Sequence, residues 1–155
     1  MKKIPLTQGK YAFVDDDDYN NLSGYKWYYN KGYAVRGSSP KILMHRIINK
    51  TPKGMDTDHI NRNTLDNRKQ NLRGCTRSQN CTNRPAQKHG SSGFKGVSWH
   101  KHRKAWSAYV CVNKKMIYLG YFENKEDAAK AHDKKAKEIY GDFAYLNFAG
   151  GVSSR

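Results

Sequence analysis

Asp58-His59-Ile60-Asn61 opens the stretch of this chain whose residue types and spacing can do chemistry. Asp66-Asn67-Arg68, Asn71-Leu72-Arg73 and Thr76-Arg77-Ser78-Gln79-Asn80 follow, with intervals of 12 from His59 to Asn71 and 9 from Asn71 to Asn80. Two short extended segments followed by a helix bring a carboxylate, an imidazole and two amides to one point. Hydrolysing a phosphodiester needs a base for water, a cation for the scissile oxygens and a grip on the backbone. His59 suits the base, because imidazole titrates near neutral pH. Asp58 and Asn80 offer hard oxygen ligands, which suit Mg²⁺ or Mn²⁺ better than zinc. Asn71 is placed to fix the loop and so aim His59, and Arg62, Arg68, Arg73 and Arg77 can grip phosphates by paired hydrogen bonds. Taken singly, each piece has a structural reading, since asparagines cap helices and tolerate left-handed backbone. Their joint spacing inside a basic chain favours a site.

The elements that must hold these groups follow from the pattern on either side. Lys10 to Val14 reads as a strand entering the acidic run Asp15 to Asp18. That run lacks the spacing and closing glutamate of a calcium loop, and it suits a turn or a helix N-terminus, where acids complement the dipole. Trp27 to Tyr29 and Gly32 to Arg36 read as a hairpin joined by Asn30-Lys31. Ile42 to Ile48 is a buried strand or short helix, and His45 within it reads as a core or interface histidine rather than a catalyst. Thr51 to Gly54 is a turn. Asp58 and His59 end a short strand, Asn61 to Asp66 is a polar loop, and Thr76 caps a helix through about Asn83 that turns Asn80 toward Asp58.

Arg84 to Gly93 is rich in Pro, Gln, Lys, Gly and Ser and divides the chain. Beyond it, Phe94–His100, Ala105–Val112 and Met116–Phe122 read as three strands, with turns at 101–104 and at Asn113-Lys114. Trp106, Ala108, Val110 and Val112 alternate on one face and are continued by Ile117 and Leu119; Tyr109, Cys111, Met116 and Tyr118 lie on the other. Asn124, with Asp127 three residues on, starts a helix whose stripe is Ala128, Ala129, His132, Ala136, Ile139 and Tyr140, ended by Gly141. A three-stranded sheet backed by one helix follows.

Composition narrows the partner. The chain of 155 residues carries 29 Lys and Arg against 13 Asp and Glu, a net +16. The excess is +10 in residues 1–90 and +6 in 91–155, so it is not a basic tail. A polyanion partner explains this best, because each cation set against phosphate releases counterions. No broad apolar helix face suggests a membrane surface, and no obligate protein partner is implied. The start, Met1-Lys2-Lys3-Ile4-Pro5, has no apolar h-region, so no signal peptide and a cytoplasmic location are expected. Three cysteines without Cys-x-x-Cys spacing fit a reducing compartment and neither a zinc ribbon nor a disulfide frame.

Residues 10–83 resemble the HNH (His-Me finger) endonucleases of phages and mobile introns. The likeness runs through Val14 to Tyr19, Leu22 to Trp27, Met44-His45-Arg46, Pro52-Lys53-Gly54, Asp58 to Asn61, Leu65 to Arg68, Asn71 to Arg73 and Gln79-Asn80. It implies a ββα-metal motif with Asp58 and Asn80 as ligands, His59 as general base and Asn71 as the orienting amide. Residues 92–148 are similar to the AP2 DNA-binding domain through Gly93 to Val97, Trp106 to Ala108, Tyr118 to Phe122, Glu126 to Ala129, Ala131 to Asp133 and Leu146 to Phe148. That resemblance implies a sheet laid in the major groove with Lys95, Ser98, His100, Tyr109, Cys111, Met116 and Tyr118 toward DNA. Lys101, Arg103, Lys104, Lys114 and Lys115 then contact phosphate. The face departs from the family's arginine-rich one, so the plant target sequence does not carry over.

The expectation is therefore an α+β chain: an HNH nuclease domain at 1–83, a linker at 84–92 and an AP2-like domain at 93–148. The expected activity is metal-dependent, homing-type cleavage of duplex DNA. The rival reading is a DNA-binding regulator with an inactive nuclease fold, and an RNA-directed nuclease is weaker, because no single-strand stacking motif is present.

Overall fold

Short alternating runs in the N-terminal half fold into hairpins, each too small to bury itself alone. The computed structural model describes residues 1–86, 90–112 and 115–148. The chain divides into two units, Met1–Asn80 and Cys81–Arg155. The expected turn at Asn113-Lys114 and the middle of the expected linker lie outside the described residues.

In the first unit β1 (Lys2–Pro5) pairs antiparallel with β2 (Tyr11–Val14), which turns Ile4, Ala12 and Val14 inward. The helix α1 (Asp16–Ser23) carries Asp16, Asp17 and Asp18 in its first turn, where acids complement the macrodipole. Strands β3 (Tyr28–Asn30), β4 (Tyr33–Arg36) and β5 (Ile42–Leu43) form an antiparallel sheet in that order. Lys31 and Gly32, at φ 47° and 97°, make the tight turn, one residue later than expected, because a two-residue hairpin needs positive φ at both central positions. The run from Ile42 is both things expected of it in turn, since β5 passes directly into the short helix α2 (Met44–Ile48). A hairpin of β6 (Asp56–His59) and β7 (Leu72–Cys75) follows, then α3 (Arg77–Thr82). Thr76 and Gln79 close a reciprocal capping box at its start: the Gln79 N–H donates to Thr76 Oγ1 at 3.3 Å, and the Thr76 N–H to Gln79 Oε1 at 2.9 Å. The apolar core under these hairpins includes Leu22, Trp27, Ala34, Met44, Ile48 and Leu72.

The second unit is the expected sheet and helix. Strands β8 (Val97–His100), β9 (Ala105–Val112) and β10 (Lys115–Phe122) are antiparallel in the order β10-β9-β8, and α4 (Lys125–Tyr140) packs on one face. The first strand starts later than Phe94, because Gly93 and Gly96 take φ of 73° and 72°. Val97 and Ala108 pair across β8 and β9 and bury against Ala128 and Ala129 of α4, so the alanines do let the helix lie close. An irregularity between Tyr118 and Gly120 shifts the register. Tyr121 thereby pairs with Ser107 and joins the face of Tyr109, which a strict period of two misses. Asn124 precedes α4 without a side-chain capping bond; its amide reaches Asp127 Oδ2 at 3.5 Å instead. Among the described residues no helix is long and apolar enough to cross a membrane.

Candidate catalytic site and nucleic-acid face

Pairing of β6 with β7 sets Asp58 opposite Arg73 and His59 opposite Leu72. Alternation along β6 then divides its side chains. Thr57 and His59 turn toward α2, where Asn49 Nδ2 lies 3.4 Å from Thr57 Oγ1 and the His45 ring meets the His59 ring edge-on at 5.0 Å. Asp56 and Asp58 turn toward Arg73 and α3.

His59 is buried, with Tyr33 and His45 packed on its ring and Asn67 at one edge. The Asn67 amide nitrogen donates to the Leu65 carbonyl at 3.2 Å, so its oxygen is the atom 3.3 Å from His59 Nε2. In the neutral ring Nε2 therefore carries the hydrogen and Nδ1 is the nitrogen that can take a proton. Burial pushes the His59 pKa below its ordinary value, opposed by the Asn67 bond and the Asp58 charge, so the ring is a neutral base at neutral pH. Asn67 is one of the functional candidates that sequence reasoning left without a role. Its own backbone N–H donates to Phe13 O at 2.8 Å, a contact between the loop and β2, far apart in sequence, that no local pattern announces.

Asn71 holds the loop rather than the ring. Its oxygen accepts the Asn61 N–H at 2.9 Å and its nitrogen donates to the Asp66 carbonyl at 2.8 Å, closing residues 61–71 on themselves. The backbone carbonyl of Asn71 also accepts the N–H of Ile60, next to His59, at 2.9 Å. Asp66 accepts from Asn61 and, through two bonds of 2.7 Å, from Arg68, and that guanidinium holds the Asp66 carboxyl below its usual range. The acidic run also has a use here: Asp15 Oδ2 accepts the Lys69 N–H at 2.8 Å, and Asp18 pairs with the Lys69 ammonium at 3.2 Å. The same loop is thereby tied to the start of α1.

Asp58 and Asn80 reach the same face of the ribbon with Asp56 between them. The Asn80 amide nitrogen donates to Asp56 Oδ2 at 3.1 Å, so the expected meeting of Asn80 with Asp58 is replaced by a bond to Asp56. The cause is the alternation that puts both carboxylates on one side of β6. The two carboxylates also attract guanidinium groups. Arg73 Nε and Nη2 lie 2.9 and 2.7 Å from Asp58 Oδ2, and Arg77 lies 3.5 Å from Asp56. A divalent cation finds hard oxygen donors on this face, with Asp58 held by Arg73 in this state. Among the described residues there is no group of three or more His, Cys, Asp or Glu that could hold a metal ion.

Of the four arginines expected to grip phosphate, Arg68 and Arg73 are thus committed to carboxylates in this state, and Arg77 stays largely exposed. Arg62 is an exposed residue in the loop at φ 65°. Arg46 clamps the turn ahead of β6 through the carbonyls of Met55 and Pro52 at 2.9 and 3.3 Å. Cys75, at the end of β7, is buried, which pushes its thiol up to about 11 and leaves it unreactive.

His45 makes a testable contribution to stability. Burial, and after it the neighbouring His59, lowers its pKa from 6.5 to about 3. The unfolded chain binds this proton below pH 6.5 and the folded chain does not, so stability falls as pH drops from 6.5 toward 3. At roughly 1.4 kcal/mol per pH unit, moving from pH 7 to pH 5 costs about 2 kcal/mol. Urea midpoints at the two pH values measure it, and His45→Phe flattens the slope.

In the second unit the face of the sheet opposite α4 carries Ser98, His100, Tyr109, Cys111, Met116 and Tyr118, joined by Tyr121. His100 and Tyr121 rings meet at 5.2 Å, the Arg103 guanidinium lies 4.7 Å from the Tyr121 ring centre, and Tyr109 and Tyr118 lie 6.3 Å apart. Lys101, Arg103 and Lys104 project from the exposed turn beside them. Lys95 departs from this face. Its ammonium is half-buried on the carbonyls of Thr82 and Arg84, and burial pulls its pKa down to about 8. Lys114 lies outside the described residues.

The family described as HNH endonuclease matches residues 50–81, and the AP2 domain matches residues 92–142. A protein of Acanthamoeba polyphaga mimivirus named as an uncharacterized HNH endonuclease is 35% identical over 147 residues, covering 90% of this chain and 76% of its own. Protein 3.8 of Escherichia phage T7 is 33% identical over 93 residues, covering 60% of this chain and 76% of its own. The APETALA2-like protein 2 of rice is 43% identical over 61 residues, 38% of this chain and 14% of that protein. No solved structure matches.

Proposed function

Because the chain belongs to the HNH endonuclease family and carries an AP2 domain, we propose that it is a metal-dependent endonuclease cutting duplex DNA. The observation that supports this most is the buried, tautomer-fixed imidazole at His59, next along β6 to the Asp58 carboxylate, which faces the opposite side of the strand. The β6–β7 hairpin and α3 are read as the ββα-metal unit of such nucleases. Asp58 and Asn80 hold the cation, Mg²⁺ or Mn²⁺. When bound, that ion polarises the scissile phosphate and stabilises the oxygen that leaves. His59 Nδ1 takes the proton from the attacking water, and a 3′-hydroxyl departs. Asn67 keeps the ring in the right tautomer, and Asn71 keeps the loop closed around it.

The AP2 domain holds duplex DNA through the open face of its sheet, with Ser98, His100, Tyr109 and Tyr118 toward bases and Lys101 and Arg103 on phosphates. Carrying both domains on one chain raises the local DNA concentration at a nuclease with few phosphate contacts of its own. The role that fits is a homing-type nuclease, working in the cytoplasm of a bacterial or phage-infected cell.

Asp58→Ala and Asn80→Ala test the metal reading. Each variant is expected to lose most cleavage of supercoiled plasmid in Mg²⁺ while shifting a duplex oligonucleotide in gels as the parent does. Cleavage at parental rate by Asp58→Ala overturns the ligand assignment. Binding without cleavage by the unmutated chain favours a regulator.

A further inference from the structure

The Arg73–Asp58 pair stands where the proposed nuclease must load its cation. The guanidinium reaches across from β7 and sets two nitrogens on one oxygen, Asp58 Oδ2, at 2.9 and 2.7 Å. The pair is mostly buried, with side chains 17% and 6% exposed. By contrast, Arg77 touches Asp56 at 3.5 Å with 80% of its side chain exposed. We propose that Arg73 is a placeholder: it occupies Asp58 until a DNA phosphate draws it off, so metal and duplex load together.

The gate is electrostatic, and it rests on the nuclease reading. A divalent ion on Asp58 with a guanidinium on the same carboxylate sets three positive charges beside one negative. Burial weakens the screening that would relieve them. A backbone phosphate offers the guanidinium another anionic partner, with two non-bridging oxygens that its fork can reach, and it arrives where the cation is needed. Arg73 then bridges to the substrate while Asp58 is released to the ion. Linkage makes the effect reciprocal: whatever factor duplex adds to metal affinity, metal adds to duplex affinity.

Free Mn²⁺, followed by its paramagnetic resonance signal, measures this in a His59→Ala background that keeps Asp58 and Asn80 and cuts too slowly to consume the duplex during the titration. Duplex alone supplies the background to subtract. His59→Ala is expected to bind Mn²⁺ weakly and to tighten about tenfold when a random-sequence duplex is added. The double variant with Arg73→Met is expected to bind tightly without DNA and to gain little from it. Arg73→Lys, which keeps the charge, is expected to resemble its parent. Weaker or unchanged Mn²⁺ binding in the Arg73→Met variant overturns the placeholder, since a residue that merely orients Asp58 gives that result. Should the Arg73→Met chain fail to fold, judged by circular dichroism, absence of any gain from duplex in the His59→Ala parent overturns it equally. If folded parent and variant both bind no Mn²⁺, with or without duplex, the nuclease reading falls together with the gate.

Discussion

His59→Ala is expected to lower the rate of plasmid cleavage by about 10²–10⁴, the usual cost of losing a general base, with duplex binding close to unchanged. The ring is buried, and its Nε2 edge is spent on Asn67. Removing it therefore strips a proton acceptor and leaves Asp58 paired with Arg73 on the other face of β6. The AP2 domain, which supplies the larger share of DNA affinity in this account, is untouched. Rate constants from the decay of supercoiled plasmid, set beside gel-shift affinities, separate the two effects. A loss of binding as large as the loss of rate contradicts the assignment of His59 to chemistry.

Gly96→Ala is expected to unfold the second unit. Gly96 has φ of 72°, and a Cβ there lies 2.1 Å from His132 Cδ2 and 2.5 Å from the Tyr109 carbonyl. Neither neighbour yields easily. His132 is buried in α4 and bonded to Asp133 at 3.0 Å, and the Tyr109 N–H donates to the Gly96 carbonyl at 2.9 Å. Overpacking costs typically 1–3 kcal/mol and a strained backbone a similar amount, so the sum is about 2–6 kcal/mol. That is a large part of the stability of a small domain. Thermal unfolding followed by tryptophan fluorescence reads it through Trp99 and Trp106, whose rings meet at 5.1 Å. The expected result is loss of the transition belonging to that unit and loss of duplex binding. A parental melting curve contradicts the packing described here.

How much of this was legible beforehand differs from element to element. The cap at Thr76, the alternation of β9 and the alanine stripe of α4 are local, and periodicity or capping chemistry reports them directly. The three groups His59, Asn71 and Asp58 stood out because they are spaced along one hairpin and its loop. Asn67, Asp56 and Asp15 did not, because their roles come from tertiary neighbours. Asn67 meets His59 only because Phe13, in another hairpin, fixes its backbone. Asp56 captures Asn80 because alternation puts it on the same face as Asp58. Asp15 reads as a helix cap, yet its carboxylate reaches Lys69, far along the chain. The register shift in β10 explains why Tyr121 was left off the open face: one irregular residue reverses the parity of everything after it. Lys95 was legible as basic but not as buried, since the carbonyls that claim it, those of Thr82 and Arg84, lie just before and at the start of the expected linker.

The central claim is that this chain hydrolyses duplex DNA with a divalent metal. Supercoiled plasmid carrying DNA from the source genome, incubated with the unmutated protein in Mg²⁺ and again with EDTA, tests it most directly. The account predicts nicked or linear product with Mg²⁺ and none with EDTA. Intact plasmid in both, from protein that still shifts the same duplex in a gel, contradicts it and leaves a DNA-binding regulator in its place.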